Sequence, residues 1–191
     1  MDARHFMCAA TLIAALSAAP GLHAAEVAGV HVDDRIRVGT QELALNGAGI
    51  RTKVFFKVYV GALYTGARAT TPEAVYEAAG PRRISLHLLR DLDAQALHEA
   101  LDEGLRNNLS TAELEALKVP AGQLATLMKS IGKARSGTVI AIDFGADGIA
   151  VSVNGEVRGQ VAGGAFAKAL LRVWLGEKPA DADLKKALLG G

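Results

Sequence analysis

Thiols are almost missing from this chain: its 191 residues include one cysteine, Cys8, near the N-terminus. Cys8 falls in a segment expected to be removed. The remaining chain then has no disulfide, cysteine nucleophile or thiolate metal site. An excess of one charge is missing too, since 21 Lys+Arg face 20 Asp+Glu for a formal net charge of +1. Overall charge therefore supplies no broad field for nucleic acid or an anionic membrane. Aromatic residues make up 5% and prolines number five, and there is no collagen or heptad pattern. What the chain does have is 50% hydrophobic content and 21 glycines, enough apolar residues to bury the core of one ordinary domain.

The longest uncharged apolar stretch, Phe6 to Ala19, has 14 residues, short of the roughly 20 that a membrane-spanning helix needs. It is preceded by Arg4 and followed by Pro20-Gly21 and Leu22-His23-Ala24-Ala25. A basic start, an apolar middle and small residues before a cut form the pattern of a secretory signal peptide. The expectation is a signal peptide over residues 1–24, one domain over 25–191, and a periplasmic or secreted protein without a membrane span. Cleavage takes Asp2 and Arg4 away together, so the net charge is unchanged.

Beyond the leader, Val27 to Val38 fits a small strand or hairpin. Leu43 to Gly49 and Val54 to Tyr64 read as strands, with Val54, Phe56, Val58, Val60 and Ala62 on one face and Arg51, Lys53, Lys57 and Tyr59 on the other. Thr71-Pro72-Glu73 opens a short helix that ends before Gly80-Pro81, and Arg83 to Leu89 alternates as a strand. Asp91 or Asp93 caps a helix with Leu97, Leu101 and Leu105 on one line, ending near Asn107-Asn108. Ser110 to Glu113 has capping-box spacing, and a further helix runs from about Ala121 to Lys133. Strands at 138–144, 149–153 and 156–161 follow, the last two joined by the hairpin dipeptide Asn154-Gly155. A helix carrying Phe166, Leu170, Val173 and Trp174 stops near Gly176, and Asp181 opens a last one through Leu188. Strands, helices, strands, helices without steady alternation predict an α+β fold, a mostly antiparallel sheet covered by helices.

Several chemical motifs fail on their context. Gly47-Ala48-Gly49 lacks the third glycine of a dinucleotide fingerprint and leads into a strand, where phosphate binding needs a helix N-terminus. Asp143-Phe144-Gly145 has none of the accompanying kinase elements. His31, His87 and His98 are not at helix metal-site spacing, and no Gly-x-Ser-x-Gly turn raises a serine. Asp102 and Glu103 point about 100° apart on a helix, so they do not form an acid–base pair. Asn108-Leu109-Ser110 spells a glycosylation acceptor. No metal or cofactor is expected.

Arg51 is the residue most suggestive of binding chemistry. A guanidinium beside a glycine-rich strand can hold a carboxylate by two parallel hydrogen bonds, and Tyr59, of the same strand parity, could add a donor. The competing reading makes Arg51-Thr52-Lys53 an exposed turn and packs Tyr59 beneath a helix. Eight steps of a straight strand span about 26 Å, so the two residues meet only if the chain reverses between them. A turn at Thr52-Lys53 would part them. One centred on Phe55 would use a poor turn residue.

The run from Leu45 to Tyr64, Leu-Asn-Gly-Ala-Gly-Ile-Arg-Thr-Lys-Val-Phe-Phe-Lys-Val-Tyr-Val-Gly-Ala-Leu-Tyr, resembles the signature of the chalcone isomerase-like family in its bacterial exported branch. Trp174-Leu175-Gly176, Pro179-Ala180-Asp181 and Leu184-Lys185 resemble its closing helices. The resemblance implies an open-faced β-sandwich, a large antiparallel sheet layered with helices and a ligand cleft between them. It also implies one of three activities known among relatives: cyclising chalcones to flavanones, binding fatty acids, or binding haem.

In the enzymes an arginine in the glycine-rich strand polarises the substrate oxygen, a position that Arg51 matches. The enzymes' threonine on the next strand corresponds to Tyr59. Their helix tyrosine and asparagine fall near Ala96 and Glu103, and their late threonine or serine near Val173. Each lost oxyanion donor typically costs about 2.7–4 kcal/mol of barrier, so the resemblance implies a non-catalytic binder of an amphipathic carboxylate such as a fatty acid. Arg51 and Tyr59 would hold the head, and Leu97, Leu101, Leu105, Phe166 and Leu170 are candidate tail contacts. The alternative is a chalcone-to-flavanone type intramolecular lyase on a phenolic or enone substrate, with Arg51 as electrophile and Tyr59 as acid or base. A haem carrier using His87 or His98 is a third reading.

Overall fold

The structure, a computed structural model, describes residues 25–191; the expected signal peptide, residues 1–24, lies outside them. The chain opens with β1 (Ala25–Val27), β2 (Val30–Val32), β3 (Arg35–Val38), β4 (Gln41–Lys53) and β5 (Phe56–Thr65). Then come α1 (Pro72–Tyr76), β6 (Arg82–Leu88), β7 (Leu92–Asp93), α2 (Ala94–Asn108), α3 (Thr111–Ala116) and α4 (Lys118–Ile131). It closes with β8 (Lys133–Ala134), β9 (Val139–Phe144), β10 (Gly148–Val153), β11 (Glu156–Ala162), α5 (Gly164–Leu175) and α6 (Ala182–Leu188). Seven strands form one antiparallel sheet in the order β11-β10-β9-β6-β5-β4-β3. The α+β class, with a large antiparallel sheet under a helical layer, is the one predicted.

Helix starts follow local chemistry. Asp93 accepts a hydrogen bond from the Gln95 amide at the start of α2, Asp181 accepts from Leu184 in α6, and Ser110 and Glu113 form a reciprocal capping box on α3. Each satisfies an amide that the first helical turn leaves unpaired. Helix α4 begins at Lys118, three residues before its predicted start.

The two sheet faces carry separate cores. Ile84, Leu86 and Leu88 of β6 pack with Ile140, Ile142 and Phe144 of β9 against Leu97, Leu101, Leu105, Phe166, Leu170 and Trp174 from the helices. On the other face, Val60, Ala62 and Tyr64 of β5 pack with Leu43 and Val32, covered in part by Val27 and Val30 of the β1–β2 hairpin.

Two expectations about β4 and β5 are corrected. The break at Arg51-Thr52-Lys53 does not occur, because β4 continues through Lys53 and a two-residue turn at Val54-Phe55 reverses the chain, pairing Lys53 with Phe56. Val54 takes a φ of 60° to make that turn. Nor do Val54, Phe56, Val58, Val60 and Ala62 share a face. Arg51 pairs with Tyr59 while Thr52 pairs with Lys57, so Val58 is an extra residue. Such a β-bulge shifts the alternation by one, and Val58 joins the helix-side core while Val60 and Ala62 join the opposite one.

A second bulge lies at Asn46, between the pairs Leu45–Tyr64 and Gly47–Leu63. The Asn46 side chain is buried, accepts from the Ala69 amide (2.7 Å) and donates to the carbonyls of Ala69 (2.8 Å) and Leu188 (2.7 Å). It thereby ties the end of α6 to β4. The glycines beside it have a steric purpose. A methyl group on Gly47 would collide with the Ala187 carbonyl oxygen, and one on Gly49 would lie 2.6 Å from the Ala187 Cβ. Helix α6 rests directly on the strand backbone.

Gly47→Ala is therefore expected to destabilise by roughly 1–3 kcal/mol through overpacking. Asn46→Ala is expected to cost about 1–3 kcal/mol for each backbone group it orphans. Gly66→Ala, at a site with nothing within 4 Å, is expected to be near neutral. Urea unfolding midpoints of the three variants check the ranking.

Candidate functional site

The Val54-Phe55 turn brings together the two residues that the sequence left eight positions apart. Arg51 and Tyr59 are direct cross-strand partners, and the Arg51 guanidinium carbon sits 5.7 Å from the Tyr59 ring centroid. Within about 6 Å of an aromatic face a guanidinium is held by the ring quadrupole. Beneath them, Trp174 of α5, itself buried, donates from Nε1 to the Tyr59 hydroxyl at 2.9 Å. Asp181, the cap of α6, accepts from the Thr52 amide at 2.9 Å through one oxygen and from the Leu184 amide at 3.0 Å through the other. Both helices that follow β11 are thus hydrogen-bonded to the hairpin that carries Arg51.

Arg51 borders a cavity of about 360 Å³ between the sheet and α2. Lys53, Val54, Phe56 and Val58 form its strand wall; Arg90, Leu92, Ala96, Leu97 and Ala100 form the rest. The bulge explains the strand wall, since it turns Val58 and Phe56 toward the helices alongside Arg51. Arg51 Nε is buried without a hydrogen-bond partner, and the acid at hand, Asp181, spends its oxygens on backbone amides. A guanidinium at one end of an apolar cleft can take a carboxylate or another planar oxyanion in two parallel hydrogen bonds.

Tyr59 lies behind Arg51 and is not in the cavity wall; it is 2% exposed. Burial pushes its phenol up to about 12, against the lowering effects of Arg51 and the Trp174 hydrogen bond. It is a neutral phenol at ordinary pH, able to support Arg51 by its ring and unsuited to act as a base. Of the candidate tail contacts, Leu97 faces the cavity, whereas Leu101, Leu105, Phe166 and Leu170 are core residues. Ala96, where the resemblance places the enzymes' helix tyrosine, lines the cleft with a methyl group. Val173 packs against Gly104 between α5 and α2.

The histidines do not converge. His87 alternates with Leu86 and Leu88, so it faces away from the helix-side core, on the side where Asp33 acts on it, while His98 belongs to α2 on the helical side. Burial lowers the His87 pKa, and its Nε2 is buried without a partner. Among the described residues no group of three His, Cys, Asp or Glu side chains is placed to hold a metal ion. No helix among them is long and apolar enough to cross a membrane.

Arg90 is a cleft residue that no sequence motif marks; its guanidinium carbon sits 4.9 Å from the Phe56 ring centroid. Along the chain Trp174 and Asp181 read only as a core residue and a helix cap. Their second roles depend on contacts over more than 100 residues of chain and leave no local signal. A larger cleft, about 680 Å³, lies elsewhere, near α1, the end of α2 and the α5–α6 loop. Glu73, Arg172, Lys178 and Lys185 line it, a rim for water more than for an apolar ligand.

Comparison with known proteins agrees with the fold. Curated proteins yield no match. Among solved structures, an Arabidopsis thaliana fatty-acid binding protein superposes with a TM-score of 0.65 at 16% identity, covering 84% of this chain and 92% of that one. At that identity the likeness is one of fold. The chalcone isomerase-like family model matches residues 24–190, nearly all of the described chain, and on that match the protein belongs to the chalcone isomerase-like family.

Proposed function

We propose that this protein is an exported, non-catalytic carrier of an amphipathic carboxylate such as a fatty acid, with Arg51 holding the head group and Tyr59 supporting Arg51 from behind. The observation that carries this reading is a guanidinium with a buried, unpartnered Nε bordering an apolar cleft. Val58, Phe56, Leu92 and Leu97 give an acyl tail hydrocarbon to lie on, the usual division of a small-molecule site into apolar walls and a few polar anchors. The fold shared with a fatty-acid binding protein supports it. Export rests on the leader pattern of residues 1–24. The lyase alternative asks Tyr59 to exchange a proton with substrate, and its depth behind Arg51 and raised pKa weigh against that.

Titration with a long-chain fatty acid is expected to show saturable binding. Removing a charge-assisted hydrogen bond costs about 1.5–3 kcal/mol, so Arg51→Ala is expected to weaken binding by about 10-fold or more. Leu97→Trp is expected to weaken it by filling the cleft. Equal affinity in wild type and Arg51→Ala, or no binding at all, would overturn the reading. Turnover of a chalcone by pure protein, lost on Arg51→Ala, would replace it with the lyase.

The tyrosines make a separate prediction about pH. Burial raises the pKa of all three, Tyr59 and Tyr76 to about 12 and Tyr64 further. Between pH 10, where an unfolded tyrosine ionises, and 12, the unfolded chain loses protons that the native chain keeps. Stability therefore falls as pH rises through this window. Phenolate absorbance is expected to appear together with unfolding, and to a lesser extent in Tyr59→Phe. A phenolate signal with a midpoint near 10 in folded protein would contradict the assigned burial.

A further inference from the structure

The Val54-Phe55 turn departs from the residue choice of the β10–β11 hairpin in the same sheet. There, Asn154 and Gly155 take φ values of 51° and 83°, residues that adopt left-handed backbone readily. Here a β-branched valine takes 60°, a strained choice for that residue. The turn also exposes apolar surface. Val54 is 76% exposed, Phe55 89% and Phe56 62%, so three of the five exposed large hydrophobic residues of the described chain are consecutive. Strain combined with exposed apolar side chains lowers stability, and Phe55, the most exposed of the three, buries almost no surface in return.

The charges around the tip share one sign. From Leu43 to Pro72 the sequence has no acidic residue and carries Arg51, Lys53, Lys57 and Arg68. Lys53 and Lys57 flank the tip and are exposed, and Arg90 stacks on Phe56. The neighbouring acids are each engaged by backbone amides: Asp91 accepts from the Ser136 amide, Asp93 from Gln95, and Asp181 from Thr52 and Leu184. A net charge near zero for the whole chain conceals this local cluster.

We infer that the β4–β5 hairpin tip is a membrane-docking element, which inserts Val54, Phe55 and Phe56 into the interface of an anionic phospholipid bilayer while Lys53, Lys57 and Arg90 meet its head groups. Apolar side chains below a ring of cations match the layering of such an interface. A protein partner fits less well. A stable protein interface needs about 800 Å² from each side, far more than three side chains on one turn present. Val54 and Phe56 also form part of the cavity wall, so docking would set the mouth of the Arg51 cleft against the acyl layer. Insertion can be measured without an acyl ligand, so docking stands or falls apart from the carrier reading.

The test places a tryptophan at the tip of the full chain, Phe55→Trp, and for comparison at a distant exposed apolar position, Val119→Trp; the native Trp174 is buried and common to both. With vesicles of phosphatidylglycerol and brominated phosphatidylcholine, the emission of Phe55→Trp is expected to shift to the blue and be quenched, whereas that of Val119→Trp is not. Adding Lys53→Glu, Lys57→Glu or Arg90→Glu to Phe55→Trp is expected to lower vesicle partition about fivefold or more for each cation removed. Neutral vesicles, or about 1 M NaCl, where the Debye length is about 3 Å, are expected to abolish the shift. A tip tryptophan unchanged by vesicles, quenched no more than the one in Val119→Trp, or indifferent to charge reversal would overturn the inference. So would a tip tryptophan shielded without vesicles in a concentration-dependent dimer, which would make a second copy of the chain the occupant.

Discussion

Two bulges in the β4–β5 pair decide which side chains meet the helices, and the cleft depends on both. The bulge at Asn46 moves Gly47, Gly49 and Arg51 to the helical side, and the bulge at Val58 brings Val58 and Phe56 to that side near the hairpin tip. Without the first, the alternation that places Leu43 and Leu45 in the opposite core would carry Arg51 there too. Bulges are energetically tolerable when the irregular residue is occupied, and Asn46 is, through three strong hydrogen bonds to backbone.

The helices hold the arrangement from above. Helix α6 lies on a strand stripped to glycine, close enough that its cap, Asp181, reaches the Thr52 amide beside Arg51. Helix α5 reaches the same hairpin through Trp174 and Tyr59. Arg51 therefore stands on a rigid base, with an aromatic ring beneath it and apolar groups in front. Positioning of this kind suits a binding anchor, because a guanidinium already ordered loses little freedom when a carboxylate arrives.

Polar groups of catalysis are sparse around this anchor. The cleft beyond Arg51 offers Lys53 and Arg90 at its edge and hydrocarbon elsewhere, and Tyr59 is recessed and neutral. A cleft with cations at its rim and an apolar hairpin at its mouth is complementary in charge and polarity to the amphipathic anion of the proposed function.

Much of this was legible along the chain. Side-chain period, caps at Asp93, Ser110 and Asp181, and the Asn154-Gly155 turn are local signals, each set by residues within a few positions, and they predicted most of the elements and the α+β class. They did not predict the short β7 and β8 or the true ends of β4 and β5. The run from Leu45 to Tyr64 carried the family resemblance and singled out Arg51. The meeting of Arg51 and Tyr59 was not legible, because turn preferences opposed a reversal at Val54-Phe55 and only the register of the paired strands overrides them. The same limit applies to the exchange of faces at Val58, to Trp174 beneath Tyr59 and to Arg90 over Phe56: each depends on contacts between distant segments, which close only when the sheet and its helices pack. Local chemistry determined which elements form, and tertiary packing decided which of their side chains share a cleft.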